Sequence, residues 1–173
     1  MNKKYGIVGL ILIVILTTVM VSGCIGYDSD KFNREFTNAV NFQGVTFYLP
    51  DGFKLSNDLD KSNQTGIVVG TASDGEYIIE LNYFPKASMS DYLATVKSPS
   101  RLSYTGQISV KYSNINESVT IGGYSGFTAD YTERSDMKMF VFEKEGKTFA
   151  ICLSQRLIDD GFNFNEIVAK IIG

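Results

Sequence analysis

From residue 5 to residue 24 the chain runs apolar and uncharged, and beyond residue 40 the pattern breaks into short alternating stretches. Gly44-Val45-Thr46-Phe47-Tyr48-Leu49 is β-branched and aromatic and predicts a strand, stopped by the turn Pro50-Asp51-Gly52. Residues 53–55 resume extension, and 56–66 are polar throughout and read as a loop. Residues 67–72 and 76–84 predict two strands joined at Ser73-Asp74-Gly75, since Asp-Gly between two such runs is a strong hairpin signal. The period then changes. Ser88 followed by Asp91 has the form of a capping box, with Met89, Leu93 and Val96 along one helical face and Pro99 as the stop. Residues 107–112 alternate as a strand, and 113–118 read as a loop. A meander follows: 119–121, a bend at Gly122-Gly123, 124–132, a turn, 137–143, a turn at Glu145-Gly146, and 147–154. Residues 156–161 read as another loop. The last segment is helical. Asn163 caps it, Glu166 completes a capping-box pattern, and Phe164, Ile167, Val168, Ile171 and Ile172 form one apolar stripe that must be buried.

Hairpin-linked strands with a helix between them and another at the end predict an α+β fold with a mostly antiparallel sheet. No βαβ series is visible. Residues 25–31 are polar and read as a spacer. Phe32, Phe36 and Val40 fit a short helix over 30–40, and an irregular arm fits equally well.

The opening segment has the layout of an export signal: Lys3 and Lys4 in front, an apolar core, and small residues at its end. As a helix, residues 5–21 reach about 25 Å, a little short of the ~30 Å hydrocarbon core. Val21-Ser22-Gly23-Cys24 resembles the lipobox of lipoprotein signal peptides. That resemblance implies a diacylglyceryl group on the Cys24 thiol and Cys24 as the mature N-terminus. Two acyl chains suffice for stable anchoring. Two other outcomes stay open, cleavage without lipid and an uncleaved single-pass anchor, and both leave the rest of the chain facing outside. The organisation expected is a signal peptide at 1–23, a tether at 24–41 and a folded domain at 42–173, at the outer face of the cell membrane.

Gly44-Val45-Thr46-Phe47-Tyr48-Leu49-Pro50-Asp51-Gly52-Phe53 resembles the opening of PsbP-like domains, where a strand ends in Pro-x-Gly-aromatic. Val119-Thr120-Ile121-Gly122-Gly123-Tyr124, the hairpin strands and the closing helix at 164–172 fit the same pattern, and Phe53 stands where Trp is frequent. The resemblance implies an αβα arrangement around an antiparallel sheet. The best-known members of that family are non-catalytic accessory subunits of a photosynthetic complex, and others bind different protein partners.

Composition narrows the chemistry. The 173-residue chain has no histidine and no tryptophan. Without histidine the commonest general base and metal ligand are missing, and neither a Ser-His-Asp triad nor the usual zinc site can form. Removing Lys3 and Lys4 with the signal leaves 14 basic against 19 acidic residues, a net charge of −5. That charge argues against nucleic acid, which needs clustered Lys and Arg. If Cys24 carries lipid, Cys152 has no intrachain partner. Its run Phe149-Ala150-Ile151-Cys152-Leu153 points to a buried thiol acting as a small hydrophobe.

No catalytic set is expected, and no cofactor. Asp58, Asp60 and Ser62 alternate oxygen side chains as a calcium loop does, but Asn63 stands where Gly is needed and Val69 where Glu is needed, so a solvated loop is the plainer reading. Asn63-Gln64-Thr65 and Asn116-Glu117-Ser118 are glycosylation sequons. Gly122-Gly123-Tyr124-Ser125-Gly126 is a bend rather than a phosphate loop, having no Lys-Ser/Thr after it. Asp159-Asp160 would complement the positive end of the last helix. Tyr77, Tyr83, Tyr104, Tyr112 and Tyr124 would place hydroxyls on one sheet face. The expected function is a non-catalytic, lipid-anchored surface domain that binds a protein partner or assists a membrane complex. The alternative is a lipoprotein binding a sugar, peptide or ion.

Overall fold

The computed structural model describes residues 35–56, 68–73, 77–98, 111–132 and 136–173. The signal segment with Cys24, the loop with Asp58, Asp60, Ser62 and Asn63, the turn at Asp74-Gly75, Pro99 and Tyr104 lie outside them. All described residues belong to one compact unit, Lys31–Gly173.

A seven-stranded antiparallel sheet dominates. Its strands are β3 (Leu55–Ser56), β4 (Val68–Ser73), β5 (Ile78–Phe84), β6 (Lys111–Ile121), β7 (Tyr124–Thr132), β8 (Asp136–Lys144) and β9 (Lys147–Ser154), in the spatial order β3-β4-β5-β9-β8-β7-β6. A separate hairpin pairs β1 (Asn38–Phe42) with β2 (Val45–Leu49). Among the described residues three helices accompany them: α1 (Met89–Lys97), α2 (Gln155–Asp159) and α3 (Phe164–Ile172). The mostly antiparallel α+β reading therefore holds. Among the described residues no helix is long and apolar enough to cross a membrane.

The period-2 alternation of β8 and β9 builds two cores, one on each side of the sheet. Phe140, Phe142, Phe149, Ile151 and Leu153 point to one face. They pack with the apolar stripe of α3 and with Phe42, Val45, Phe47 and Leu49 of the hairpin. Met137, Met139, Val141, Ala150 and Cys152 point to the other, where they meet Phe84, Phe127 and residues of α1. Gly126 is required between them, because a Cβ there would collide with the Val141 carbonyl oxygen and the Phe140 ring. Lys144 ties the first face together. Its Nζ donates to Ile172 O at 2.7 Å and Thr46 O at 3.2 Å and lies over the Phe47 and Tyr124 rings.

Several local expectations hold. Phe53 N donates to Pro50 O at 3.1 Å across the predicted turn. The α1 capping box is complete, with Ser88 Oγ accepting from Asp91 N and Asp91 accepting from Ser88 N. Gly122 and Gly123 both take positive φ, 57° and 82°, at the β6–β7 bend. All five residues of the α3 stripe are buried.

Others are corrected. Residues 38–42 are neither helix nor loose arm. They form β1, because Phe42 finds the Phe47 and Phe149 rings and Phe36 and Val40 pack against the same core. The folded part thus begins inside the stretch read as tether. Residues 113–118 are not a loop but the middle of β6. Two register shifts, between Ser113 and Asn116 and between Asn116 and Val119, interrupt its pairing with β7. The shifts break the alternation, so Tyr112 and Ile115 serve one core while Val119 and Ile121 serve the other. The stretch 156–161 read as a final loop is entered by a helix instead: Gln155–Asp159 form α2, whose Leu157 is buried. At α3, Asn163 Oδ1 accepts from Asn165 N and Glu166 N, but the Glu166 carboxylate pairs with Lys170 at 2.8 Å rather than returning to the cap.

Candidate functional site

The polar chemistry of the sheet gathers on the face that α1 covers. Register places Glu80 opposite Cys152 and Cys152 opposite Met139, while Tyr131 lies opposite Met137. Glu80, Asn82, Tyr131 and Cys152 therefore point the same way from three strands. Tyr131 Oη donates to Glu80 Oε2 at 2.9 Å, linking β7 to β5 over the two strands between them. Asn82 Nδ2 donates to Cys152 Sγ at 3.4 Å. An aromatic wall adjoins this cluster. Tyr112 lies 6.2 Å from Tyr131, and its hydroxyl is 3.4 Å from that of Tyr92 on α1. Tyr92 stacks on Phe84 at 4.2 Å.

The environment makes these groups reluctant acids. Burial pushes the Cys152 thiol well above its ordinary value, and the Glu80 charge raises it further. Burial likewise raises Tyr131, helped by Cys152 and Glu80. Both stay protonated at neutral pH. The cluster offers hydrogen-bond donors beside one carboxylate, not a thiolate nucleophile.

A second feature is an open cleft of about 310 Å³ where β5 turns into α1 and meets the β8–β9 hairpin. Tyr83, Lys86, Ser88, Glu143, Lys147 and Thr148 are among its walls. Its polar groups are partly committed. Glu143 Oε1 accepts from Met89 N at 3.2 Å, which satisfies a free amide of the first helical turn. Lys147 Nζ donates to Gln43 O at 2.8 Å. The Ser88 hydrogen bonds hold the Asp91 carboxyl below its usual range.

The residues singled out from the sequence scatter. Cys24, Asp58, Asp60, Ser62 and Asn63 lie outside the described residues. Among the described residues no group of three or more His, Cys, Asp or Glu side chains is placed to hold a metal ion. Asn116 is exposed on β6. The tyrosines do not share one face: Tyr77, Tyr83 and Tyr124 join the α3-side core and Tyr112 the α1 side. Asp160 accepts from Tyr77 Oη at 2.8 Å, 83 positions away, and Asp159 accepts from Gln155 Nε2 within α2 at 3.0 Å. Cys152 is buried and free, as its apolar run predicts. Sequence reasoning did not single out Glu80, Asn82 or Tyr131. The available signal was two polar residues at alternate positions in the run 76–84, which marks a face but not what covers it.

The chain matches no family model and no curated protein. Among solved structures it is similar to the crystal structure of PA94, a protein of unknown function from Pseudomonas aeruginosa. The identity is 14%, over 73% of this chain and 88% of that one, with a TM-score of 0.36.

Proposed function

We propose that this chain is a non-catalytic domain, lipid-anchored through Cys24 at the outer face of a membrane, that binds a protein partner or assists a membrane complex. The observation that carries the proposal is Val21-Ser22-Gly23-Cys24 closing an apolar run with Lys3 and Lys4 in front. The absence of histidine from the sequence supports a binding role, and so do the protonated Cys152 and Tyr131, which keep the polar cluster unreactive. The αβα arrangement of PsbP-like domains belongs to this reading. It is supported by α3 and α1 packing on opposite faces of the sheet.

Mass spectrometry of the mature N-terminus tests the anchor. A diacylated or diether-modified Cys24 is expected, whereas an intact Met1 makes the chain a single-pass membrane protein with the same outward domain. Pull-down from gently solubilised membranes, with wild type against Cys24→Ser, tests the partner. Recovery of no stable partner with the wild type refutes that half.

The cleft beside α1 favours a second reading, a ligand-binding lipoprotein. A thermal-shift screen of sugars, peptides and ions separates the two, since a ligand of the native state alone raises its melting temperature.

A further inference from the structure

The sequon Asn116-Glu117-Ser118 lies on β6, which among the described residues is the last strand at one edge of the seven-stranded sheet. An edge strand carries backbone groups that another chain could pair with, and proteins protect such edges. Here the edge is disturbed where the sequon falls. Register shifts flank Asn116 on both sides. Asn114 takes a left-handed φ of 49°, and its Nδ2 donates to Asp130 Oδ2 at 2.7 Å, pinning the bulge to β7. Asn116, Glu117 and Ser118 are exposed in succession, which a regular strand packed on one face would not allow. Asn116 Oδ1 accepts from Ser118 N at 3.4 Å. That Asx-type contact engages the oxygen and leaves the Nδ2 amide to solvent.

We propose that Asn116 carries an N-linked glycan that covers the outer edge of β6. The inference rests on the export reading above. The donor is a sugar carried on a lipid phosphate or pyrophosphate, supplied with its transferase at the outer membrane face. Asn116 Nδ2 bonds to the anomeric carbon and loses a proton. The bond from that carbon to the phosphate oxygen breaks, and the phosphate leaves with its electron pair. Of the two sequons, Asn116 is the one whose exposure and bulged setting are visible. Its glycan adds bulk to an edge that is already bulged and carries Glu117, reinforcing the block on strand addition.

Full-length protein from its native membranes, digested with trypsin, releases residues 112–134 as one peptide. The expected result is that peptide at its own mass plus one or more sugar increments, the increments lost in both Asn116→Gln and Ser118→Ala and retained in Asn63→Gln. The Ser118→Ala variant keeps Asn116 itself, so a folding defect of Asn116→Gln does not obscure the result. Unmodified peptide alone, in protein whose N-terminus is a processed Cys24, overturns the glycan and leaves the anchor standing. Unmodified peptide in protein that keeps Met1 and stays with the cytosol overturns both. Sedimentation velocity reads the shielding: Ser118→Ala should self-associate at concentrations where the glycosylated protein stays dispersed, and identical sedimentation refutes a shielding role.

Discussion

Strand β9 belongs to two different interiors at once. Phe149, Ile151 and Leu153 face α3 and the β1–β2 hairpin, in a core where Phe42, Phe47, Phe53, Phe140 and Phe142 are buried beside the α3 stripe. One residue away, Ala150 and Cys152 face α1, in a core that mixes Ala, Met and Cys side chains with Phe84, Phe127 and Tyr92 and is bordered by Glu80, Asn82 and Tyr131. The first face is closed by rings in mutual contact. Phe149 alone meets Phe42, Phe47, Tyr83 and Phe142 at centroid distances of 5.2 to 6.3 Å. The second has ring contacts too, but adds hydrogen bonds between strands, Tyr131 to Glu80 and Asn82 to Cys152. Dense aromatic packing stabilises a fold without inviting a ligand, whereas a polar cluster beside apolar walls costs stability unless satisfied. The contrast separates a ring-packed α3 side from an α1 side whose strands are tied by buried polar groups.

Substitutions along β9 break this contrast most directly. Phe149→Ala should cost about 3–5 kcal/mol, against about 1 kcal/mol for Cys152→Ala, which removes only a sulfur atom from the other face. Denaturant titration of both variants measures the difference, and equal losses would erase the distinction between the faces. Next in size is the tie closing the α3 side. Lys144→Met gives up two hydrogen bonds from a charged donor to Ile172 O and Thr46 O, and should cost about 2 kcal/mol with weakened amide-exchange protection at the end of α3.

The α1 side should answer to alkali instead. In the unfolded chain the thiol ionises near its ordinary 9.0 and the phenol near 10.0, while the native state holds both protonated. The native state therefore binds more protons above pH 9. Its stability from these groups is fully present below that pH and falls as pH rises, by up to about 1.4 kcal/mol per pH unit for each group. Stability measured from pH 8 to 10.5 should decline in the wild type and less steeply in Cys152→Ala and Tyr131→Phe. An unchanged slope in both would show that the cluster is wet. The smallest effect lies on the exposed side of α3. Lys170→Ala removes its i,i+4 pair with Glu166 and should cost about 0.3–0.5 kcal/mol at low salt and less at high salt, a baseline for surface changes.

Legibility in the sequence followed the range of the interactions. The α1 capping box, the bends at Pro50-Asp51-Gly52, Gly122-Gly123 and Glu145-Gly146, and the α3 stripe were readable because each is decided within a few residues. The β6 bulge was not. Its broken alternation looked like a loop, and only pairing with β7 and contacts on both faces make it a strand. Residues 38–42 failed for the same reason. Their spacing suited a helix as well as an arm, and the Phe47 and Phe149 rings decided for a strand. The tyrosines separated between faces because strand alternation gives parity within one strand and says nothing of parity between strands.

By itself, then, the sequence determined the uncharged apolar opening ending at Cys24, the absence of histidine chemistry, the antiparallel α+β class and the helix caps, all of them matters of composition or short-range chemistry. The tertiary structure alone decided that Glu80, Asn82, Tyr131 and Cys152 share a face, that Asp160 answers Tyr77 across 83 positions, and that Asn116 stands exposed at a sheet edge. Register sets these, and register is fixed by how the two cores fill on either side of the sheet, a many-body packing condition that no local window of the chain contains.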